Sequence, residues 1–207
     1  MKKNIILFVT ILILSTLASF FIYEYFDKEV KARSNLSNTY TKLSKDNVFK
    51  IIDMDTAINL VKKGNAALFI GYKECIWCQQ YVKVIDNIAK KNSLQLVYYL
   101  DIREDRKNNS KKYQELVNLL KDRLKNDDLG NKRIFVPFLL IAKDGKILET
   151  DDETSDLSKD KVDPLTYWTD EKINALNGKL KNSIESMYKI YTIIFKIIAF
   201  ISFICII

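Results

Sequence analysis

The chain reads as an α/β domain with a mixed central sheet, carrying an apolar segment at each end. Continuous apolar runs of strand length, such as Ala66–Gly71 (AALFIG), alternate with stretches of helical periodicity, the pattern of strands linked by helices. One Asp-Gly pair, Asp144-Gly145, sits between two apolar runs and marks a tight antiparallel hairpin. The expected sheet is parallel where the crossovers are helical and antiparallel at the hairpin. Residues 5–23 and 190–207 are almost free of charge and long enough to consider as membrane spans.

The elements follow in order. Residues 5–23 hold 19 positions without a charge, preceded by Lys2 and Lys3. As a helix they reach about 28 Å, the thickness of a bilayer core. The alternative is a cleaved signal peptide, but Thr16-Leu17-Ala18 is a poor small-x-small site, and Phe20 and Phe21 prolong the apolar run. An uncleaved anchor over 1–23 is therefore expected, followed by a polar juxtamembrane linker over 24–47. Lys28, Lys31 and Arg33 follow the span as closely as Lys2 and Lys3 precede it, so charge alone does not orient it.

The folded domain is expected over 48–186. Residues 47–52 (NVFKII) form a short strand, and Asp53 or Asp55 caps a helix that runs to about Lys63 and stops at Gly64. After the strand Ala66–Gly71 comes Cys75-Ile76-Trp77-Cys78, then helical spacing through Val82, Ile85, Ile88 and Ala89. Residues 94–102 (LQLVYYLDI) form another strand, and Leu116, Leu119, Leu120 and Leu124 share one face of a helix over 113–124. Residues 134–142 (IFVPFLLIA) read as a strand containing Pro137, and the turn 143–146 returns the chain as a strand over 147–150. An acidic loop occupies 151–160, and Asp170 or Thr169 caps the last helix. Residues 190–207 are interrupted only by Lys196, whose burial at a bilayer centre costs roughly 2.5–3.5 kcal/mol. That stretch either packs on the domain, lies in the interface, or spans. Eighteen residues rich in Ile and Phe exceed what so small a domain covers, so 187–207 is expected to be a second transmembrane helix, with Cys205 as a small apolar member of it.

Composition removes whole classes of chemistry. The 207 residues contain no histidine, which excludes Ser-His-Asp and Cys-His nucleophilic sites and His-ligated metals. Three cysteines, Cys75, Cys78 and Cys205, are too few for a four-ligand zinc site built from Cys and His alone, and no metal is expected. Five glycines and two prolines leave no GxGxxG or GxxxxGK[ST] phosphate loop. The net charge of +7 comes partly from Lys2, Lys3 and Lys196 at the apolar ends. Elsewhere acids and bases alternate (KDRLKNDD, DIREDRK), as on a solvated surface rather than a nucleic-acid groove.

Cys75 and Cys78 carry the chemistry. A CxxC where a buried strand passes into a helix puts the first thiol at the helix N-terminus, where unpaired amides and the macrodipole favour a thiolate. Such thiols move from about 8.5 into a range of about 3.5–7.5. The three-residue step sets Cys78 one turn on, within bridging distance. Cys75 then attacks or is attacked, and Cys78 resolves the mixed disulfide, so the cofactor is the redox-active disulfide itself. Half a metal site shared between chains and two buried apolar residues are the alternatives.

The string LFIGYKECIWCQQ, followed about sixty residues later by VPFLLIAKDGKIL, resembles the thioredoxin-like fold, a three-layer α/β/α arrangement. More narrowly, GYKECIWCQQYVKVIDNIAKK and LVYYLDI look like the thioredoxin-like bacteriocin transport accessory proteins of Gram-positive bacteria. The resemblance covers about 48–183. It implies a cis Pro137 beside the CxxC, a Val136 backbone that pairs with an extended substrate peptide, and Ile76 and Trp77 as the residues that tune the thiols. Read from the residues alone, Pro137 is also compatible with a plain edge strand. The chain departs from the thioredoxin pattern at Glu74, where a Trp is usual, at Ile76-Trp77 in place of Gly-Pro, and at Phe69 in place of a buried Asp. The segment 103–126 is longer than the minimal fold needs.

Two functions are expected from this. One is a membrane-anchored thiol–disulfide oxidoreductase acting on protein or peptide disulfides outside the cytoplasmic membrane. Its partners would be such thiols, the membrane, and an exporter or membrane redox protein, with no nucleic acid. The other is a non-enzymatic accessory module that binds a peptide (bacteriocin) export or secretion system. The resemblance, together with a disulfide site making most sense in an oxidising compartment, leads to the expectation that the domain lies outside the cytoplasmic membrane.

Overall fold

Strand β2 (Ala66–Gly71) is buried at all six positions, which makes it the middle of the sheet. The computed structural model describes residues 13, 15–17, 19–21, 35–40, 43–155, 157 and 162–204, with 35, 38 and 188–204 as backbone alone. Five strands, β1 (Phe49–Ile52), β2, β3 (Val97–Asp101), β4 (Phe138–Lys143) and β5 (Lys146–Asp151), are ordered β1-β3-β2-β4-β5. β3 runs parallel to both β1 and β2, while β4 is antiparallel to β2 and to β5.

The helices are α1 (Asn35–Thr39), α2 (Met54–Lys63), α3 (Ile76–Lys91), α4 (Arg103–Lys107), α5 (Lys111–Leu120) and α6 (Asp170–Ile204). Strand alternation divides the core in two. Phe49, Ala67, Phe69, Tyr99, Leu139 and Ile141 face α1, α3 and α6. Leu68, Ile70, Leu100, Leu140 and Ala142 face α2 and α5. The protein is thus α/β, with helices on both faces of a mixed five-stranded sheet.

Local chemistry accounts for the boundaries. Asp53 caps α2 by accepting the Thr56 amide at 2.9 Å, and Gly64 closes it through its N–H to the Leu60 carbonyl. Asp144 (φ 51) and Gly145 (φ 71) both take positive φ in the hairpin between β4 and β5, the turn the Asp-Gly pair predicts. A Cβ on Gly145 would lie 2.3 Å from the Lys62 carbonyl oxygen, so only glycine lets this turn rest on the end of α2. Asp86 on α3 is buried; it accepts the Val48 amide at 2.9 Å and pairs with Lys90 at 2.9 Å, fastening the start of β1 to the helix.

Three expectations change. Leu36, Tyr40 and Leu43, read as linker, are buried in the core beside α3 and α6, because an i, i+4, i+7 apolar set on one short segment covers the end of the sheet. The strand expected over 134–142 begins only at Phe138: Pro137 has no N–H to give the ladder, so 134–136 stay outside the sheet. The crossover from β3 to β4 does not yield a parallel strand. Two helices and an irregular return bring the chain back to the end of the sheet it left, and β4 starts with Phe138 opposite Ile70.

Among the described residues no helix is long and apolar enough to cross a membrane. The predicted spans, 5–23 and 190–207, fall mainly outside the residues described in full, although the backbone of α6 continues through the second as far as Ile204. Cys205 lies outside the described residues.

Candidate functional site

The reversal at β4 brings 134–136 back to the end of β2 from which the CxxC departs. The chain leaves the sheet at Gly71, turns through 72–74, and starts α3 at Ile76 with Cys75 as its N-cap (φ −76, ψ 111). The turn is closed by the Cys75 amide donating to the Tyr72 carbonyl at 3.2 Å and by the Gln79 side chain donating to the Lys73 carbonyl at 2.8 Å. Where Ser or Asp usually caps a helix, Cys75 Sγ accepts the Cys78 amide at 3.2 Å. The sulfur therefore sits at the positive end of a 16-residue helix.

The two cysteines, both free thiols, occupy different environments. Cys75 is half-buried and open to solvent on one side, while Cys78 is fully buried. Hydrogen bonding from the Cys78 side chain pulls the Cys75 thiol below its ordinary value against the opposing effect of burial, helped by the Cys78 and Trp77 amides and by the charge of Arg106. Burial pushes the Cys78 thiol well above the ordinary value, and its interaction with Cys75 adds to that. One thiol is thus prepared to ionise and the other held neutral.

Gly71 makes room for the inner sulfur. A Cβ there would lie 3.1 Å from Cys78 Sγ and 3.0 Å from the Phe69 ring. Phe69 fills the interior behind, stacked against Phe49, Tyr81 and Tyr99 at ring-centre distances of 5.6–5.9 Å. The hydroxyls of Tyr40 and Tyr99 meet at 3.1 Å in the same core cluster.

Val136 and Pro137 are brought to Cys75. The Val136–Pro137 peptide bond is cis, Pro137 is buried, and the Val136 carbonyl oxygen lies 3.9 Å from Cys75 Sγ as a long acceptor of the thiol. Ile76 is 48% exposed beside the sulfur. Trp77 is buried, with its ring edge-on to Tyr167 at 5.4 Å. All but Cys78 and Pro137 of the site residues expected from sequence line one groove of about 440 Å3, together with Tyr72, Arg106, Arg133, Phe135 and Thr154.

Arg106 and Thr154 were not visible in the sequence pattern. Arg106 comes from α4 in the long 103–126 segment; its guanidinium donates to the Tyr72 hydroxyl at 3.0 Å and to the Ile134 carbonyl at 3.4 Å, and lies 5.0 Å from the Tyr72 ring centre. The signal lay in topology: β2 and β3 are adjacent and parallel, Gly71 beside Asp101, so the segments leaving both emerge at one end of the sheet. Thr154 is buried, and its hydroxyl has no hydrogen-bond partner among the described residues. No three His, Cys, Asp or Glu side chains converge as metal ligands among those residues. What the arrangement can do is nucleophilic sulfur chemistry at Cys75, with a second sulfur one helical turn behind it. No family model matches the chain, and no curated protein matches it.

Proposed function

We propose that the domain is thioredoxin-like and that the protein is a membrane-anchored thiol–disulfide oxidoreductase, with protein or peptide disulfides outside the cytoplasmic membrane as its substrates. The observation that carries this is the asymmetry of the pair: Cys75 Sγ caps α3 and opens on the groove, while Cys78 is fully buried one turn on. The five-stranded order and the cis Val136–Pro137 bond beside the sulfur support the fold reading. Anchoring through 5–23 and 190–207, and the outward placement, rest on the sequence.

In the reducing direction the Cys75 thiolate attacks one sulfur of the substrate disulfide. A Cys75–substrate S–S bond forms, the substrate S–S bond breaks, and its electron pair leaves on the second substrate sulfur, which takes a proton. Cys78 then loses its proton, attacks Cys75 Sγ and releases the first substrate sulfur as a thiolate. Two electrons have passed from the cysteine pair to the substrate, and a dithiol donor returns the pair to thiols. Oxidation of a dithiol substrate is the same sequence reversed. Val136, which lines the groove with its carbonyl beside Cys75, would pair with an extended peptide through its backbone during both steps.

Phe69 favours a second reading. It sets an aromatic ring in the interior behind Cys78, where a carboxylate would assist proton transfer, and this suits a module that binds an export or secretion partner without turnover. Reduction of a disulfide-bonded peptide by the full chain in detergent micelles separates the two. Turnover abolished by Cys75→Ser, and mixed disulfide trapped by Cys78→Ser, are expected of the oxidoreductase. A folded wild-type chain with no exchange would favour the binding module.

A further inference from the structure

We infer that Arg106 is a positioning residue for the Cys75 thiolate, an unpaired guanidinium that the 103–126 segment delivers to the thiol groove to hold negative charge on Sγ during exchange. This inference rests on the oxidoreductase reading and gives the long segment a task within it.

Four observations support it. Arg106 is half-buried and lines the same groove as Cys75. Both of its hydrogen-bond acceptors are uncharged, the Tyr72 hydroxyl and the Ile134 carbonyl, so among the described residues it is hydrogen-bonded to no carboxylate. Tyr72, which aims the guanidinium, also supplies the carbonyl that accepts the Cys75 amide, so cation and sulfur are fixed by one residue. The neighbouring Arg103, by contrast, is spent on Glu74 at 2.5 Å. A cation held by neutral groups keeps its field, and in a half-buried groove that field is screened less than at an open surface.

Other charged groups share the groove or the turn. Asp127 and Asp128 line the groove, and Asp127 accepts the Leu129 and Asn131 amides. Arg133 lines the same groove. On the turn before Cys75 stand Glu74, paired with Arg103, and Lys73, 3.9 Å from Glu74. Behind it are Cys78 and the Tyr40 and Tyr99 hydroxyls, all held neutral by burial. The Cys75 thiol is lowered chiefly by hydrogen bonding from Cys78, and the charge of Arg106 adds to that in the same direction.

The test is the pH profile of Cys75 alkylation by iodoacetamide in the full chain in micelles, read by mass spectrometry. Arg106→Gln is expected to slow alkylation roughly three- to tenfold on the acidic limb and to converge with wild type at alkaline pH, where the thiol is ionised anyway. Arg106→Lys, which keeps the charge, is expected to stay close to wild type. Tyr72→Phe removes the bond that aims the guanidinium and should slow the acidic limb in the same way, to a smaller extent; it carries the test if R106Q does not fold. Profiles of R106Q and Y72F that overlay wild type at every pH overturn the inference, as does an R106K profile displaced as far as that of R106Q. Alkylation needs no disulfide substrate. Loss of exchange with an Arg106-dependent thiol would therefore sink the oxidoreductase reading alone, and intact exchange with an Arg106-independent thiol would sink this inference alone.

Discussion

Replacing Gly71 with alanine adds a single methyl group to a place that is already full. Its Cβ would stand 3.0 Å from the Phe69 ring and 3.1 Å from Cys78 Sγ, where carbon normally keeps well clear of both. Neither neighbour can retreat. Phe69 is fully buried and ringed by Phe49, Tyr81 and Tyr99, and Cys78 is fully buried in the first turn of α3. Forcing a methylene into a packed core costs about 1–3 kcal/mol. Removing a strand glycine returns about 0.5–1 kcal/mol. With both neighbours fully buried the clash falls in the upper part of its range, about 2–3 kcal/mol. The net destabilisation expected for G71A is therefore roughly 1–2.5 kcal/mol, a fall in Tm of about 2–10 °C. Trp77 and Trp168 both pack near the site, so urea unfolding followed by tryptophan fluorescence reads it directly. Gly178→Ala is the internal control: no atom lies within 4 Å of its Cβ position in α6, and it should stabilise by up to about 1 kcal/mol. G71A as stable as wild type would refute the placement of Cys78 against the end of β2.

Three further outcomes are expected. Cys75, its thiol pulled down by hydrogen bonding from Cys78, should react with iodoacetamide at a pH below that of an ordinary thiol, with Cys78 protected until unfolding; mass mapping that finds both modified together would contradict this. Cys78 and Tyr81 are held neutral by burial, so each contributes stability fully below its unfolded pKa, about 8.5 and 10. That contribution fades as pH rises toward the folded value, because the unfolded chain then ionises first. The reduced protein should accordingly lose stability above about pH 9, and Cys78→Ala should flatten the first part of the decline; equal slopes in both proteins would count against it. Asp86→Ala strands the buried Val48 amide and frees Lys90, for an expected loss of about 1–3 kcal/mol in the same urea assay, and a loss near zero would show that β1 is not fastened there.

Local signals in the sequence located most of the elements. Asp53 and Gly64 bound α2, six consecutive apolar residues make β2, and Asp144-Gly145 sets the hairpin, because each of these choices is decided by neighbours along the chain. The CxxC was legible for the same reason: strand, turn and helix are contiguous. What could not be read depended on distant parts of the chain. Leu36, Tyr40 and Leu43 sit among Lys, Asn and Ser and look like linker until α3 and α6 supply a surface to cover. The direction of β4 is fixed by where the 121–137 return ends, opposite Ile70, and no periodicity in that segment records it. Arg106 gains its meaning only once β3 is known to lie beside β2, which puts a helix from one strand's end against a turn from the other's.

The proposed oxidoreductase requires Cys75 and Cys78 to work as a two-electron couple. A redox titration of the full chain in micelles against defined dithiol–disulfide buffers tests this. The Cys75–Cys78 disulfide would be quantified by mass. A reversible two-electron transition is predicted, with a potential inside the span of about −270 to −120 mV covered by known CxxC oxidoreductases, and it should vanish in both Cys75→Ser and Cys78→Ser. A folded chain whose cysteines stay thiols across that whole span would contradict the account and leave a binding module in its place.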